Sequence, residues 1–126
     1  MQPENMATTI HAQVKKYSDR KDNALCYKEG DEWKGISWKE FGERIDYAAK
    51  GLLELGAMEG DMIAIYSSNR PEWVISDYAI MSIRCATVAI YATNTSEQAE
   101  YICDDARTKI ILVDDQTQYD NVMRFY

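Results

Sequence analysis

The pattern of apolar positions is clearest at the centre of the chain, where a strand-like run precedes a helix-like one. Met62 to Tyr66 is a short apolar run rich in strand-forming residues, which predicts a strand buried on both faces. From Trp73 to Ile83 almost every position is apolar or small, which predicts a covered helix. Asn69 is a good N-cap for this helix, with Glu72 completing a capping box and Pro71 in the first turn. The centre is therefore predicted to be strand, loop and helix.

The residues before this unit predict a short helix and a hairpin. Thr8 or Thr9 begins the helix, whose apolar positions recur at helical spacing: Ile10, Val14 and Tyr17. Two short strand-forming runs, Ala24 to Tyr27 and Trp33 to Ser37, flank a turn that contains Gly30. Strand-forming runs joined by a glycine turn are typical of an antiparallel hairpin.

A second helix follows the hairpin directly. Ser37 caps it, and Glu40 completes the pattern Ser-x-x-Glu. Its apolar positions lie at intervals of three and four and predict one core-facing stripe: Phe41, Ile45, Ala48, Ala49, Leu52 and Leu55. Gly56 supplies the stop signal.

The rest of the chain alternates strands with helices. Ala86 to Tyr91 and Lys109 to Val113 are strand-like runs, and between them Thr95 and Gln98 cap an amphipathic helix. A last helical spacing predicts that the chain stops inside a helix: Tyr119, Val122, Met123 and Tyr126. Such alternation implies right-handed βαβ crossovers and a parallel sheet covered on both faces. We expect a three-layer α-β-α, Rossmann-like α/β fold with a mostly parallel sheet, preceded by a helix and a β-hairpin, with residues 1–126 as a single domain.

The composition agrees with one globular domain of 126 residues, because 46% of them are hydrophobic and 28% are charged. The net charge of -7 argues against binding to nucleic acid or anionic membranes, which usually requires a basic face. No apolar run approaches the roughly 20 residues of a membrane-spanning helix, and the polar opening has no signal-peptide core. We therefore expect a cytoplasmic protein.

The three cysteines form no CxxC pair and are odd in number: Cys26, Cys85 and Cys103. This pattern favours reduced, mostly buried thiols over disulfides or a zinc site.

Chemistry in a parallel sheet concentrates in the loops beyond the carboxyl ends of its strands. In this chain those loops are residues 67–70, 92–95 and 114–115. Ser67 and Ser68 follow a strand, as the nucleophile of a hydrolase does, but the glycines of GxSxG are absent. The one histidine, His11, lies far in sequence from any strand end. We expect neither a hydrolase nor a catalytic role for His11.

The hydroxyl-rich loop 93–96 lies at a helix start, where a phosphate would bind. All six glycines lie at or before Gly60, so no loop of the parallel half brings bare backbone against a phosphate. The Thr95 and Gln98 pattern favours a capping loop instead. Arg70 opposes the dipole of the helix that it begins, and we expect a neighbouring carboxylate rather than a ligand to hold it.

Asp114 and Asp115 end an apolar strand, as the acidic pair that binds magnesium in response-regulator receivers does. That pair comes early in a receiver, whereas only 11 residues follow Asp115 here. A helix-entry signal is the simpler interpretation.

Four segments occur in a recognisable order: ISWKEF, KGLLELGAMEGDMIAIYSSNRPEW, CATVAIYATNTSEQAEYI and ARTKIILVDD. Together they resemble the opening of AMP-forming long-chain acyl-CoA synthetases (fatty-acid CoA ligases), in the adenylate-forming ligase superfamily. The blocks Asn69–Trp73 and Tyr91–Thr95 point to the long-chain branch. Cys85 and Ala92 depart from the usual Gly and Pro at their positions.

The resemblance implies a parent enzyme that joins a fatty acid to AMP with ATP and Mg2+, releases pyrophosphate and passes the acyl group to CoA. In the family, the phosphate loop, the aromatic-x-Thr-Glu motif, the ribose-binding Asp and the C-terminal lysine all come later in the sequence. The resemblance therefore assigns no catalytic, cofactor-binding or metal-binding residue to this chain, and we expect no cofactor to bind to it alone.

Three hypotheses about function follow. The first is a catalytically incomplete N-terminal fragment of a fatty-acid CoA ligase, whose partners are the downstream part of the same chain and other copies of itself. The second is a small α/β binding or interaction module without catalysis. The third is the N-terminal part of an adenylate-forming ligase for another carboxylic acid. Peripheral membrane association of the parent ligase stays open.

Overall fold

The computed structural model describes residues 9–126, whose strands form two separate sheets. The strands are β1 (Asn23–Glu29), β2 (Glu32–Ser37), β3 (Met62–Ser67), β4 (Ala86–Tyr91) and β5 (Thr108–Val113). The helices are α1 (Ile10–Lys16), α2 (Trp38–Glu54), α3 (Pro71–Ser82), α4 (Ser96–Ala106) and α5 (Gln116–Met123). β1 and β2 form an antiparallel hairpin, and the parallel sheet has the order β4-β3-β5. Among residues 9–126 no helix is both long and apolar enough to cross a membrane.

The parallel sheet is covered on both faces. Ile63 and Ile65 of β3 belong to a core shared with α1, α2, α3 and the hairpin. Ala64 and Tyr66 belong to a second core, shared with α4 and α5. All four side chains are at most 2% exposed. Because successive side chains of a strand point to opposite faces, a continuous apolar run is what two covered faces require. The predicted three-layer α/β fold with a doubly buried central strand is confirmed.

The hairpin is confirmed as well, and it packs against α2 and α3. Its two strands join through Gly30 and Asp31, and Gly30 takes the left-handed φ of +62° that glycine adopts without a steric penalty. Ile36 is 2% exposed and fastens the hairpin to the first core.

Most of the predicted N-caps are present in the structure. The Thr9 hydroxyl accepts from the amide of Ala12, whereas Thr8 lies outside the described residues. The Ser37 hydroxyl accepts from the amide of Glu40 at 3.1 Å. The Glu40 side chain does not return to Ser37 in a full capping box, because it accepts a hydrogen bond from Arg44 at 2.8 Å. In α4 both halves of the predicted capping box form.

The predicted cap of α3 is wrong. The helix begins at Pro71, so its N-cap is Arg70, which makes no side-chain capping bond, and Asn69 lies one residue too early. The reason is that proline favours the first helical position and holds the residue before it in extended conformation. Arg70 accordingly has φ -152° and ψ 164°. The prediction of a covered helix is confirmed, since only Glu72 and Met81 of α3 are exposed.

Two predictions at helix ends are also wrong. Leu55 is not part of the core stripe of α2, because the helix ends at Glu54 and Leu55 is 67% exposed. The last helix ends at Met123 rather than continuing to Tyr126, which is 88% exposed. Near a helix end the chain leaves the helical path, so helical spacing no longer predicts the direction of a side chain.

Candidate functional site

The loops after β3 and β5 meet at the carboxyl edge of the parallel sheet and enclose a cleft of about 220 Å³ with the start of α3. Its polar lining consists of Ser67, Arg70, Glu72, Ser76 and Asp114. This is the position at which ligands bind to open parallel sheets. The cleft is therefore the position in this fold at which a ligand would be expected to bind.

A hydrogen-bonded clamp joins the ends of β3 and β5. Ser68 donates to Asp114 Oδ2 from its amide at 3.0 Å and from its hydroxyl at 2.7 Å. Burial acts to raise the pKa of Asp114, but hydrogen bonds, chiefly the two from Ser68, outweigh it, so this pKa lies below its ordinary value. Asp114 Oδ1 is buried without a partner among the described residues. The carboxylate thus serves as an acceptor for the neighbouring loop.

The sequence predicted one role, helix entry, for both Asp114 and Asp115, but the structure gives the two carboxylates different roles. Asp115 is a helix-entry residue as predicted, since its carboxylate accepts from the amides of Thr117 at 2.8 Å and Gln118 at 3.2 Å. Asp114 does not have that role, because its bonds lead back to Ser68. A partner 46 positions away leaves no local signal in the sequence.

Arg70 is held by a carboxylate, as predicted. Its Nε donates to Glu72 Oε2 at 2.8 Å. This hydrogen bond raises the pKa of Arg70 and lowers the pKa of Glu72. The acidic residue that the sequence assigned to a capping box is therefore the partner of the arginine, and both charges are already matched.

The loop after β4, residues 92–95, is held by hydrogen bonds from side chains of β3 and α5, a network that the sequence did not predict. The Tyr66 hydroxyl donates to the carbonyl of Asn94 at 2.5 Å and accepts from Asn121 Nδ2 at 2.9 Å. Gln118, only 5% exposed, donates to the carbonyl of Ala92 at 3.0 Å. The network holds the loop between β3 and α5, and buried polar groups of this kind need such partners. The prediction of a capping loop at residues 93–96 is confirmed, because Thr95 and Gln98 form the capping box of α4.

The serine residues lack the surroundings of a hydrolase nucleophile. Ser67 Oγ donates to the carbonyl of Ser68 at 2.8 Å, and Ser68 Oγ donates to Asp114. His11 lies on α1, where its Nε2 is 3.5 Å from Asp46. In the described residues the hydroxyls of Ser67 and Ser68 therefore donate to oxygen atoms of the β3 and β5 loops, and the polar partner given for His11 is Asp46.

All three cysteines are free thiols, as predicted, but they are not all buried. Cys85 and Cys103 are buried, and burial raises the pKa of both thiols. Cys26 is exposed because Leu25 and Tyr27, its neighbours in β1, turn toward the core. In the described part of the chain, no group of three or more His, Cys, Asp and Glu side chains is placed to hold a metal ion.

Residues 10–124 match the family of AMP-binding enzymes. The chain belongs to this family. Long-chain-fatty-acid–CoA ligase ACSBG2 of Xenopus laevis is 33% identical over 111 residues, which are 88% of this chain and 15% of that protein. Fatty acyl-CoA synthetase A of Dictyostelium discoideum is 40% identical over 85 residues, 68% of this chain and 13% of that protein. This chain thus spans less than a fifth of the length of these relatives.

A solved structure matches the fold of this chain. The N-terminal domain of FACL13 from Mycobacterium tuberculosis has a TM-score of 0.83 to it at 15% identity, over 94% of this chain and 30% of that one. At that identity the likeness shows the fold alone. This chain has the fold of that N-terminal domain. The resemblance predicted from its sequence is confirmed by the family match over residues 10–124 and by the relatives named as fatty-acid–CoA ligases.

Proposed function

We propose that this chain is the N-terminal, non-catalytic part of a fatty-acid CoA ligase. The parent enzyme would convert ATP, a long-chain fatty acid and CoA to acyl-CoA, AMP and pyrophosphate, with Mg2+ as the ion that accompanies ATP. The observation that carries the proposal is the match to the AMP-binding family over residues 10–124, combined with ligase relatives of which the chain spans 13% to 17%. Those relatives are named for fatty acids, which favours a long-chain acid over a short-chain or aryl one.

The carboxyl edge of the sheet supports a non-catalytic role for this part. A phosphate-binding loop presents several free backbone amides, usually through glycine. No glycine follows Gly60 in this chain, and the polar side chains at the edge already have partners: Ser68 donates to Asp114, Arg70 donates to Glu72, and Thr95 accepts from an amide of α4. We therefore assign no catalytic, cofactor-binding or metal-binding residue here and treat residues 1–126 as one α/β domain.

A cytoplasmic location of the parent is part of the same proposal. All three cysteines are free, and reduced thiols are typical of the cytosol. Contact with a membrane surface would then be peripheral and supplied by other parts of the ligase.

The proposal is tested by ATP–pyrophosphate exchange. The purified chain should show no exchange with palmitate, benzoate or acetate above a mock purification, since the loops after β3, β4 and β5 have no glycine that could bring backbone amides to a triphosphate. The protein encoded by the same reading frame extended beyond Tyr126 should show exchange with palmitate. Exchange by the chain alone would refute the non-catalytic role. A stop codon directly after Tyr126 would refute the ligase and favour the interaction module.

A further inference from the structure

The two free edges of the parallel sheet differ in how they are protected. On β5 the pairing with β3 shifts register between Met62 and Ile63. Lys109 lies on this strand and donates from Nζ to the Gly56 carbonyl at 2.6 Å and to Asp61 at 2.9 Å. A bulge and a lysine are two of the devices that keep an edge strand from pairing with another chain.

The β4 edge has neither device. It pairs with β3 in unbroken register from Ala86 to Tyr91, and these six residues include no charge, no glycine and no proline. Ala86, Ala89 and Tyr91 are exposed, with Tyr91 at 77%. An uncharged, regular and exposed edge strand is a template for further pairing.

The backbone groups that remain free on β4 can be assigned. The amide of Ala86 donates to the carbonyl of Asp61 at 2.9 Å, so Ala86 faces β3, and so do Val88 and Ile90 because the direction alternates. Thr87, Ala89 and Tyr91 therefore face outward. The outward amide of Tyr91 is already bonded to Asn94 Oδ1 at 2.8 Å.

Thr87 and Ala89 thus present two amides and two carbonyls at an edge where no strand of the described chain lies. We propose that this edge binds β4 of a second copy of the chain in antiparallel orientation, with the two-fold axis at Val88. In this register each Thr87 lies opposite Ala89 of the other copy. In an antiparallel ladder such a pair exchanges two hydrogen bonds, so all four groups of each copy are satisfied.

The neighbouring register is worse. An axis at Ala89 would place Thr87 opposite Tyr91, whose amide is committed to Asn94. In the register centred on Val88, the residues that meet across the axis carry no charge, so like charges do not oppose each other there. The interaction does not depend on the proposed ligase activity.

The test is the mass of the 126-residue chain by light scattering after gel filtration, from about 10 µM to about 1 mM, the range in which exposed edges drive association. The mass should rise from monomer to dimer. Ala89→Pro removes two of the four bonds, and it should weaken association about tenfold. Ala89→Lys should also weaken it, whereas the matched change Val113→Lys on β5 should not.

Amide hydrogen exchange of the wild-type chain is a second test of the proposed pairing, and it requires no substitution. The amides of Thr87 and Ala89 should be protected in the concentrated sample and should exchange freely after dilution. A monomer at every concentration would overturn the proposal, as would a dimer in which these two amides exchange freely. Association weakened equally by Val113→Lys and Ala89→Lys would overturn it too, because the β4 edge would then not be the specific surface.

Discussion

At the scale of single residues, capping depends on the exact position of the cap. Thr95 accepts from the amide of Gln98 at 3.2 Å, and Gln98 Oε1 accepts from the amide of Thr95 at 2.9 Å. Asn69 has the same capping chemistry but lies one residue before the N-cap of α3. The two residues therefore form a natural comparison.

We expect Thr95→Ala to lower the free energy of unfolding by about 1 kcal/mol, because an amide at the start of α4 loses its acceptor. Asn69→Ala should change it by less than about 0.5 kcal/mol, as substitutions away from such features do. Urea denaturation followed by circular dichroism measures both. Equal losses in the two variants would show that Asn69 caps α3 after all.

At the scale of elements, the Ser68 and Asp114 clamp makes the junction of β3 with β5 sensitive to acid. The folded-state pKa of Asp114 is lowered, so its contribution to stability is fully present above the unfolded pKa and is lost as the pH falls through the folded one. The ordinary value for this carboxyl is 3.8.

Ser68→Ala should therefore destabilise the chain at pH 7, and the difference from wild type should shrink as the pH falls below 3.8. Urea midpoints at pH 7 and in acid give the comparison. Ser82→Ala is the matched control, because Ser82 donates to the carbonyl of Ala79 and to no titrating group. A Ser68→Ala effect that is the same at every pH would mean that the clamp is not coupled to the ionisation of Asp114.

The elements also show which features a sequence reveals. The caps at Thr9, Ser37 and Thr95 were predictable because donor and acceptor lie three positions apart. The doubly buried β3 was predictable because its apolar run is continuous. These are local patterns, and local patterns fixed the order and type of the elements.

The contacts at the carboxyl edge were not predictable in the same way. Ser68 meets Asp114 across 46 positions, and Tyr66 meets Asn121 across 55. Tyr66 also appeared as one more apolar residue of a strand, although its hydroxyl organises the loop after β4. The order of strands in the sheet decides which polar groups meet at its carboxyl edge. A single sequence does not directly predict that order.

At the scale of the whole molecule, the two cores share β3 and should unfold together. Cys85 lies in the core with α2 and α3, and Cys103 lies in the core with α4 and α5. In a Cys26→Ser chain, we expect both buried thiols to become reactive at the same urea concentration, as in a two-state transition. Labelling with a thiol reagent, read at each cysteine by mass spectrometry, measures this.

The control is Cys26 in the wild-type chain, because this exposed thiol gives the labelling rate of an unprotected cysteine. Labelling of Cys103 at lower urea than Cys85 would show that the layer of α4 and α5 opens by itself. That result would contradict a single domain over residues 1–126.

The position of β3 between β4 and β5 has a consequence for synthesis on the ribosome. Met62 begins the strand, and its partner Thr108 belongs to β5, which follows β3 and β4 in the chain. At about 5–20 residues per second, one edge of β3 waits roughly two to nine seconds for β5. During that time β3 has one side without a partner strand, and transiently unpaired strand edges of this kind are aggregation-prone, which is one reason why nascent chains need chaperones.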